Sequence, residues 1–511
     1  MSKFSKALDN FFKISEKGSN LKTEIVAGVT TFMAMVYILI VNPNMISKLP
    51  GTSFGGLYIA TALGAIFGTL MMAFVAKIPF AQASGMGLNA YFTFSVCFAS
   101  GLTYANALVI VFFSGILFLF LTVVGIREKI VDAVPESVRM AIPAGIGLFI
   151  AFIGLQSAGI IVKNPGTIVG LANLNFLKVP SFILLPMCVT FLTFMIIVIL
   201  SKLEIKGSIL IGIFGGTALY YIIGYCGAFF NPANANDVAT AAAYFGIATE
   251  GVDTKLVIDS IEKAMPVSAA FAPNWAVMSL NPFTAFSAWW HESFGAMFTK
   301  GFSGLGHIGG ASTFGSIVKI LSIMLAFAMV DMFDTIGTLM GTAERADMLD
   351  ENGKLPGIKK ALFSDAAATV FGAVVGTSTV TTYVESSAGV AEGGRTGFAS
   401  LVTGILFIIA MFLSPIAYLI PGCATAAALL YVGVLMMGCV TKINFNDLSI
   451  AVPAFLTILM MPLTYNISYG IALGIISHLI IKVCTGKAKE INIFTVIVGV
   501  LFACNFIFIS H

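Results

Sequence analysis

Charge is the scarcest feature of this sequence. Of 511 residues, 27 are basic and 24 acidic, only 10% together, whereas 58% are hydrophobic and 45 are Phe. A water-soluble chain of this length needs far more charge to cover its surface, so a soluble enzyme or nucleic-acid-binding domain is excluded and a polytopic membrane protein is expected. Histidine is also sparse: the four present show no HExxH spacing, and the seven cysteines form no CxxC pair. Neither a metal centre nor an organic cofactor is therefore expected. The N-terminal stretch has no apolar h-region followed by a small-residue cleavage site, so no removable signal peptide is expected.

What is present is a series of apolar runs, over residues 26–41, 57–75, 107–125, 141–162, 182–200, 209–230, 317–340, 362–375, 401–420, 424–440, 450–461 and 469–483. Two interrupted segments, 83–98 and 382–398, bring the expected count to roughly fourteen spans. A last run, 493–509, reads as one more span or an interfacial helix. Basic residues retained inside orient such chains. Lys3, Lys6, Lys13, Lys17 and Lys22 precede the first span, and with that end cytoplasmic, Lys77, Arg127, Lys129, Arg139, Lys202, Lys206, Arg345, Lys354, Lys359, Lys360, Arg395 and Lys442 fall on the same side. The polar stretch 231–315, with "WWHESF" and "HIGGAS", reads as an external excursion whose Trp289 and Trp290 suit a headgroup belt.

Two glycine-rich, polar segments, "PFAQASGMGLNAYFTF" and "VVGTSTVTTYVESSAGVAEGGRTG", are poor lipid-facing helices, and each joins a β-prone lead-in to the start of a half-helix. Asn89 and Glu385 are 385 − 89 = 296 positions apart, and Thr31 and Asp334 are 334 − 31 = 303 apart. Similar offsets predict two halves of seven spans, the second inverted, with a site between the interrupted helices. Non-helical backbone at membrane depth needs protein or a water-filled cavity around it. Gly85 and Gly87 let the first segment leave helical geometry, Asn89 supplies an acceptor and two donors, and Glu385 falls in the first turn of the second half-helix.

The stretch "AFAMVDMFDTIGTLMGTAERAD" puts Asp331 and Asp334 in an apolar run, followed by Thr335, Gly337 and Thr338. An ionisable group at the centre of a bilayer helix costs roughly 2.5–3.5 kcal/mol on insertion scales, so these acids call for a partner, a proton or a ligand. At i and i+3 they share a helix face. An acid out of contact with water can carry a proton or accept hydrogen bonds from ring N–H groups. A proton-coupled carrier of a flat, N–H-rich solute requires both.

The motifs "EIVAGVTTFMAMVYILIVNP", "SGMGLNAYF", "DMFDTIGTLMG" and "STVTTYVESSAGVAEGGRTG", in this order between Glu24 and about Lys482, resemble the AzgA-like purine permeases, a branch of the nucleobase:cation symporters. The resemblance implies an all-α polytopic protein with the uracil-permease-type fold, about fourteen segments in a 7+7 inverted repeat, with two short β-strand/half-helix discontinuities at midplane. It implies a cytoplasmic N-terminal segment (1–22), a core domain (23–126 and 316–420), a gate domain (127–230 and 421–484), an extracellular excursion (231–315) and a C-terminal apolar segment (485–511). It further implies proton-coupled uptake of adenine, guanine or hypoxanthine across the cell (inner) membrane by an elevator-like alternation, with membrane lipid around the chain, homodimers through the gate domain and no nucleic-acid partner. By similarity, Asn89, Asp334 and Glu385 bind the purine, Gly87, Thr335, Thr338, Thr382 and Ser386 line the pocket with Thr381, and Phe32, Phe92 or Tyr383 stack on the base. Glu385 and Asp334 couple the proton, with Asp331 as a tuning acid.

Other classes fit less well. An intramembrane enzyme holding Mg²⁺ on "DMFD" would need a second acid cluster and basic residues for a diphosphate. An anion carrier of the same fold would need net positive potential where this chain has acids.

Overall fold

The computed structural model describes residues 3–125, 134–164, 166–175, 178–232, 234–245, 247, 254–264, 269–270, 281–306, 313–346, 348–350 and 355–508. Arg127, Lys129 and Lys354, and the "HIGGAS" stretch, lie outside the described residues. The chain is mainly helical, and the helices needed below are α1 (Lys3–Phe12), α2 (Leu21–Met35), α3 (Ile38–Ile46), α4 (Phe54–Met71), α5 (Met86–Ala90), α6 (Tyr104–Val124), α7 (Glu136–Ser157), α8 (Ser181–Lys202) and α9 (Ser208–Ile223). The second half supplies α10 (Thr313–Arg345), α11 (Ile358–Val375), α12 (Ser386–Ala391), α13 (Gly397–Met411), α14 (Gly422–Met437), α15 (Leu448–Thr464), α16 (Ile467–Cys484) and α17 (Ile493–Phe508). Strands are few: β1 (Gln82–Ser84), β2 (Ile161–Asn164), β3 (Ile168–Leu171) and β4 (Val380–Thr382).

Among the described residues, nine helical stretches are long and apolar enough to cross a membrane, with four shorter apolar helices beside them. Five of the fourteen expected spans are thus missing from this set: the two broken segments, whose half-helices do not reach spanning length, and the runs 362–375, 401–420 and 450–461, whose helices (Ile358–Val375, Gly397–Met411 and Leu448–Thr464) are shorter or less uniformly apolar. The first span is α2 and α3 end to end, and Ser53, Thr103 and Thr396 each begin a helix by accepting a backbone N–H on the side-chain oxygen, as capping hydroxyls do.

The described chain divides into two compact units. The first comprises Met1–Phe149, Asn281–Ser414 and Gly433–His511, and the second Ile150–Leu280 and Pro415–Val432. In the first unit, α2 packs on α12 and α13, α4 on α11 and α13, and α6 on α10 and α11. The stretch 231–315 is not uniform. Its part from Asn281 onward belongs to the first unit, where Trp289 donates its indole N–H to the Val375 carbonyl at 2.8 Å while Trp290 stays exposed. The final helix, α17, lies against α10 and α16. The second unit is built on α8 packed against α9, with Thr190 donating to the Cys423 carbonyl at 2.9 Å and Tyr221 to the Leu419 carbonyl at 2.7 Å. It also holds the β2–β3 hairpin, where helical periodicity predicted that the span would run on to residue 162. The helix stops instead at Ser157, ahead of Gly159, whose φ of +74° is the left-handed geometry glycine adopts freely.

Candidate functional site

The two interrupted segments meet. β1 and β4 pair antiparallel with Gln82 opposite Thr382, Ala83 opposite Thr381 and Ser84 opposite Val380, so each three-residue strand satisfies backbone that no helix covers. The pairing extends one step at each end by symmetric bonds, Gly85 N–H to Thr379 O at 3.1 Å and Tyr383 N–H to Ala81 O at 3.0 Å. Both relations have one offset, 381 − 83 = 298 and 383 − 85 = 298, which is a local twofold between the halves. This offset matches Glu385 with Gly87 and Asn89 with Ser387, a refinement of the 296-residue match of Asn89 with Glu385. Each strand then runs into a short helix, α5 or α12.

One hydrogen-bonded group at the crossing is of amides and hydroxyls. Asn89, on α5, donates Nδ2–H to the Ser84 carbonyl at 3.2 Å and accepts from the Ser378 hydroxyl on Oδ1. The Tyr383 hydroxyl also donates to the Ser84 carbonyl, at 2.5 Å. Ser84 and Thr377 share a hydroxyl hydrogen bond of 2.6 Å, and Asn42 donates to Thr377 at 3.1 Å and to Thr61 at 2.8 Å. Gly87 is required by close approach: a Cβ there would stand 2.3 Å from Ile146 Cγ2.

A second group holds the acids. Asp331 is fully buried on α10, and Thr369 on α11 lies 3.4 Å from its Oδ2 while donating to the Val380 carbonyl at 3.0 Å. Asp334, one turn along, is half-buried, stands within electrostatic reach of Asp365 and Glu385, and makes no hydrogen bond among the described residues. Thr335 donates to Asp365 Oδ1 at 2.7 Å and shares a 2.7 Å hydrogen bond with Thr381. Gln82 bridges Asp365 Oδ1 and Thr382 Oγ1 through Nε2, at 3.3 and 3.2 Å. Glu385, at the N-cap position of α12, accepts the Tyr37 hydroxyl at 2.5 Å, and Ser386 Oγ accepts the Ala81 N–H at 3.0 Å.

The structure thus gathers Asn89, Asp331, Asp334, Thr335, Thr381, Thr382, Glu385 and Ser386 around one strand crossing. Phe32 is half-buried, its ring edge-to-face on Phe407 at 5.3 Å. Thr338 is buried one turn beyond Thr335, and Phe92 is fully buried against Tyr104. Sequence reasoning did not single out Asp365, Gln82, Tyr37 or Asn42. Asp365 had a signal, a lone acid within the apolar run "LFSDAAATVFGAVV", whereas Tyr37 looks like one more aromatic of a lipid-facing helix.

A crossing of two half-helices with acids and amides turned toward it is a solute-binding architecture of a membrane carrier, not the metal or nucleophile constellation of an enzyme. The chain belongs to the permease family: the Xan_ur_permease model of that family matches residues 22–473. It is 36% identical over 503 residues to the adenine permease AdeP of Escherichia coli (strain K12), covering 98% of this chain and 96% of that protein. It is 39% identical over 495 residues to the guanine/hypoxanthine permease PbuO of Bacillus subtilis (strain 168), covering 96% and 98%. Among solved structures it shares the fold of the transmembrane domain of the cyanobacterial bicarbonate transporter BicA, with a TM-score of 0.56 at 12% identity over 88% of this chain and 97% of that one. It is a multi-pass membrane permease of the uracil-permease-type fold.

Proposed function

We propose that this permease carries purine nucleobases, adenine, guanine or hypoxanthine, inward across the cell membrane together with protons. The observation that carries this reading is that Asp334 lies within electrostatic reach of Glu385, which holds the N-cap position of one half-helix, while Asn89 stands on the other half-helix that leaves the paired strands. A purine offers N–H donors on its ring or exocyclic group and acceptor nitrogens on the same flat edge. Two carboxylates supply acceptors for the donors, and an amide supplies both kinds of group. The relatives' names, adenine permease and guanine/hypoxanthine permease, support the same solute class.

In this reading Glu385 and Asp334 bind the base and one of them carries the proton, while Asp331 tunes the pair. Gly87, Thr335, Thr338, Thr382, Ser386 and Phe32 line or border the site. The core domain, residues 23–126 and 316–420, moves its bound solute past the gate domain, residues 127–230 and 421–484, in an elevator-like step; copies pair through the gate, and the N-terminus is cytoplasmic. No cofactor beyond the proton is needed. An anion carrier of this fold would face the repulsion of the same carboxylates.

Uptake of radiolabelled adenine, guanine, hypoxanthine and uracil into proteoliposomes tests the proposal, with and without an inward proton gradient and with sodium omitted. Gradient-driven, sodium-independent accumulation of a purine is the expected result. No purine uptake under any gradient overturns the solute class, and uptake that follows sodium overturns the proton.

A further inference from the structure

Glu24 is fully buried, and none of the roles given above uses it. It sits in the first turn of α2, and its carboxylate collects three backbone donors: Arg395 N–H on Oε1 at 2.9 Å, and Thr396 and Ala399 N–H on Oε2 at 3.3 and 3.2 Å. These amides open α13, whose N-cap is Thr396. The first N–H groups of a helix have no partner within it, and their partial positive charge favours an anion. Immediately upstream, the Arg395 guanidinium donates to the carbonyls of Val390 and Gly394 at 2.7 and 2.8 Å, closing the C-terminal end of α12. The turn between α12 and α13 is thus held by a carboxylate on one helix end and a guanidinium on the other.

The same face of α2 follows α12 along its length. Glu24, Ala27 and Thr31 are spaced i, i+3 and i+7 and so share that face. A Cβ on Gly389 of α12 would stand 2.1 Å from Thr31 Oγ1 and 2.4 Å from the Ala27 carbonyl. Beyond the end of α2, Tyr37 reaches Glu385. At six residues, α12 is too short to hold its own conformation, so its position is set by what grips its two ends.

We propose that Glu24 is a positioning residue for transport: by fixing the turn that ends α12 it holds Glu385 and Ser386 in register against α2. The proposal rests on the reading of Glu385 as part of the purine site. Glu24 acts through the backbone, from the opposite end of α12 to Glu385.

The test compares wild type with Glu24→Ala and Glu24→Gln in proteoliposomes. It reads purine KM and kcat per inserted protein, and separately the amide exchange of Arg395, Thr396 and Ala399. Glu24→Ala is expected to raise KM at least ~10-fold, the effect of losing roughly one charge-assisted hydrogen bond, at equal insertion, and to speed exchange at the three amides. Glu24→Gln should be intermediate, because its amide keeps one acceptor oxygen and turns an NH₂ toward the other donors. Wild-type KM in Glu24→Ala, or unchanged exchange, overturns the proposal. If Glu24→Ala does not insert, Glu24→Gln decides: wild-type KM with unchanged exchange overturns the proposal, and raised KM with faster exchange supports it. If wild type itself takes up no purine, the transport reading has failed; the exchange data then decide the clamp alone, faster exchange supporting it and unchanged exchange overturning it.

Discussion

The Tyr37 hydroxyl donates to Glu385 Oε1 at 2.5 Å, tying the junction of α2 and α3 to the N-cap position of α12. A hydrogen bond to a carboxylate contributes about 1.5–3 kcal/mol, a factor of ten to a hundred or more in an equilibrium. Tyr37→Phe removes this donor and little else, since the ring stays and only the hydroxyl goes. Purine uptake in Tyr37→Phe should fall about ten-fold or more with the amount of membrane-inserted protein unchanged. Glu385→Gln should abolish gradient-driven accumulation altogether. Wild-type accumulation in Glu385→Gln would remove Glu385 from the site and the proton path together.

Asp365 is a sharper case, because it is fully buried and serves two donors on one oxygen. Asp365→Ala leaves the Thr335 hydroxyl and the Gln82 amide short of an acceptor, at a cost of about 1–3 kcal/mol each. Asp365→Asn keeps one acceptor oxygen and the same volume. Thermal unfolding of detergent-purified protein should show a clear drop for Asp365→Ala and a smaller one for Asp365→Asn. Equal losses would mean that charge rather than hydrogen bonding matters at this position.

Some of this architecture was legible in the sequence and some was not, for identifiable reasons. The strand crossing was legible because Gly85, Gly87 and the Thr–Val alternation of "TSTVTT" break helical periodicity in two segments that nothing else explains. Asp331 and Asp334 were legible because an acid in an apolar run is costly. Asp365 was passed over because it lies about a turn and a half beyond Lys359 and Lys360, where an acid looks like part of a solvated helix end. Its neighbours Gln82 and Thr335 are distant in sequence, and only tertiary packing brings them to it. The β2–β3 hairpin was hidden because its apolar residues continue those of α7, and periodicity cannot tell a short apolar strand from a buried helix.

Gly389 offers a packing test that does not depend on charge. Any side chain there meets Thr31 Oγ1 at 2.1 Å and the Ala27 carbonyl at 2.4 Å, both closer than real Cβ contacts come. Overpacking a close helix contact costs about 1–3 kcal/mol. Gly389→Ala should therefore lower thermal stability and impair uptake. Adding Thr31→Ala should recover only part of the loss, because the Ala27 carbonyl is backbone and cannot be trimmed. Full recovery in the double variant would show that α2 shifts freely on α12.

The N-terminal segment gives the pH prediction. Asp9, on α1, accepts the Ser15 hydroxyl and the Ser15 N–H at 2.7 Å each, and these bonds, the hydroxyl foremost, hold its carboxyl below the ordinary value of 3.8. A group whose pKa is depressed by folding stabilises the folded form above its unfolded value and stops doing so as pH falls through the folded one. The turn after α1 should thus be held at neutral pH and begin to loosen as pH drops below 3.8. Nearby, Phe12 is buried against Phe398 at 5.6 Å, and the Lys77 ammonium sits 4.0 Å from the centre of the Phe11 ring, so packing also holds α1 in place. Amide exchange at Ser15, compared between wild type and Asp9→Asn at each pH, isolates the effect. Protection at Ser15 should decline with acid in wild type and be low and flat in Asp9→Asn. Parallel curves would mean that the turn is closed by the packing of Phe12 and Ile14 and that the Asp9 carboxylate contributes nothing to it.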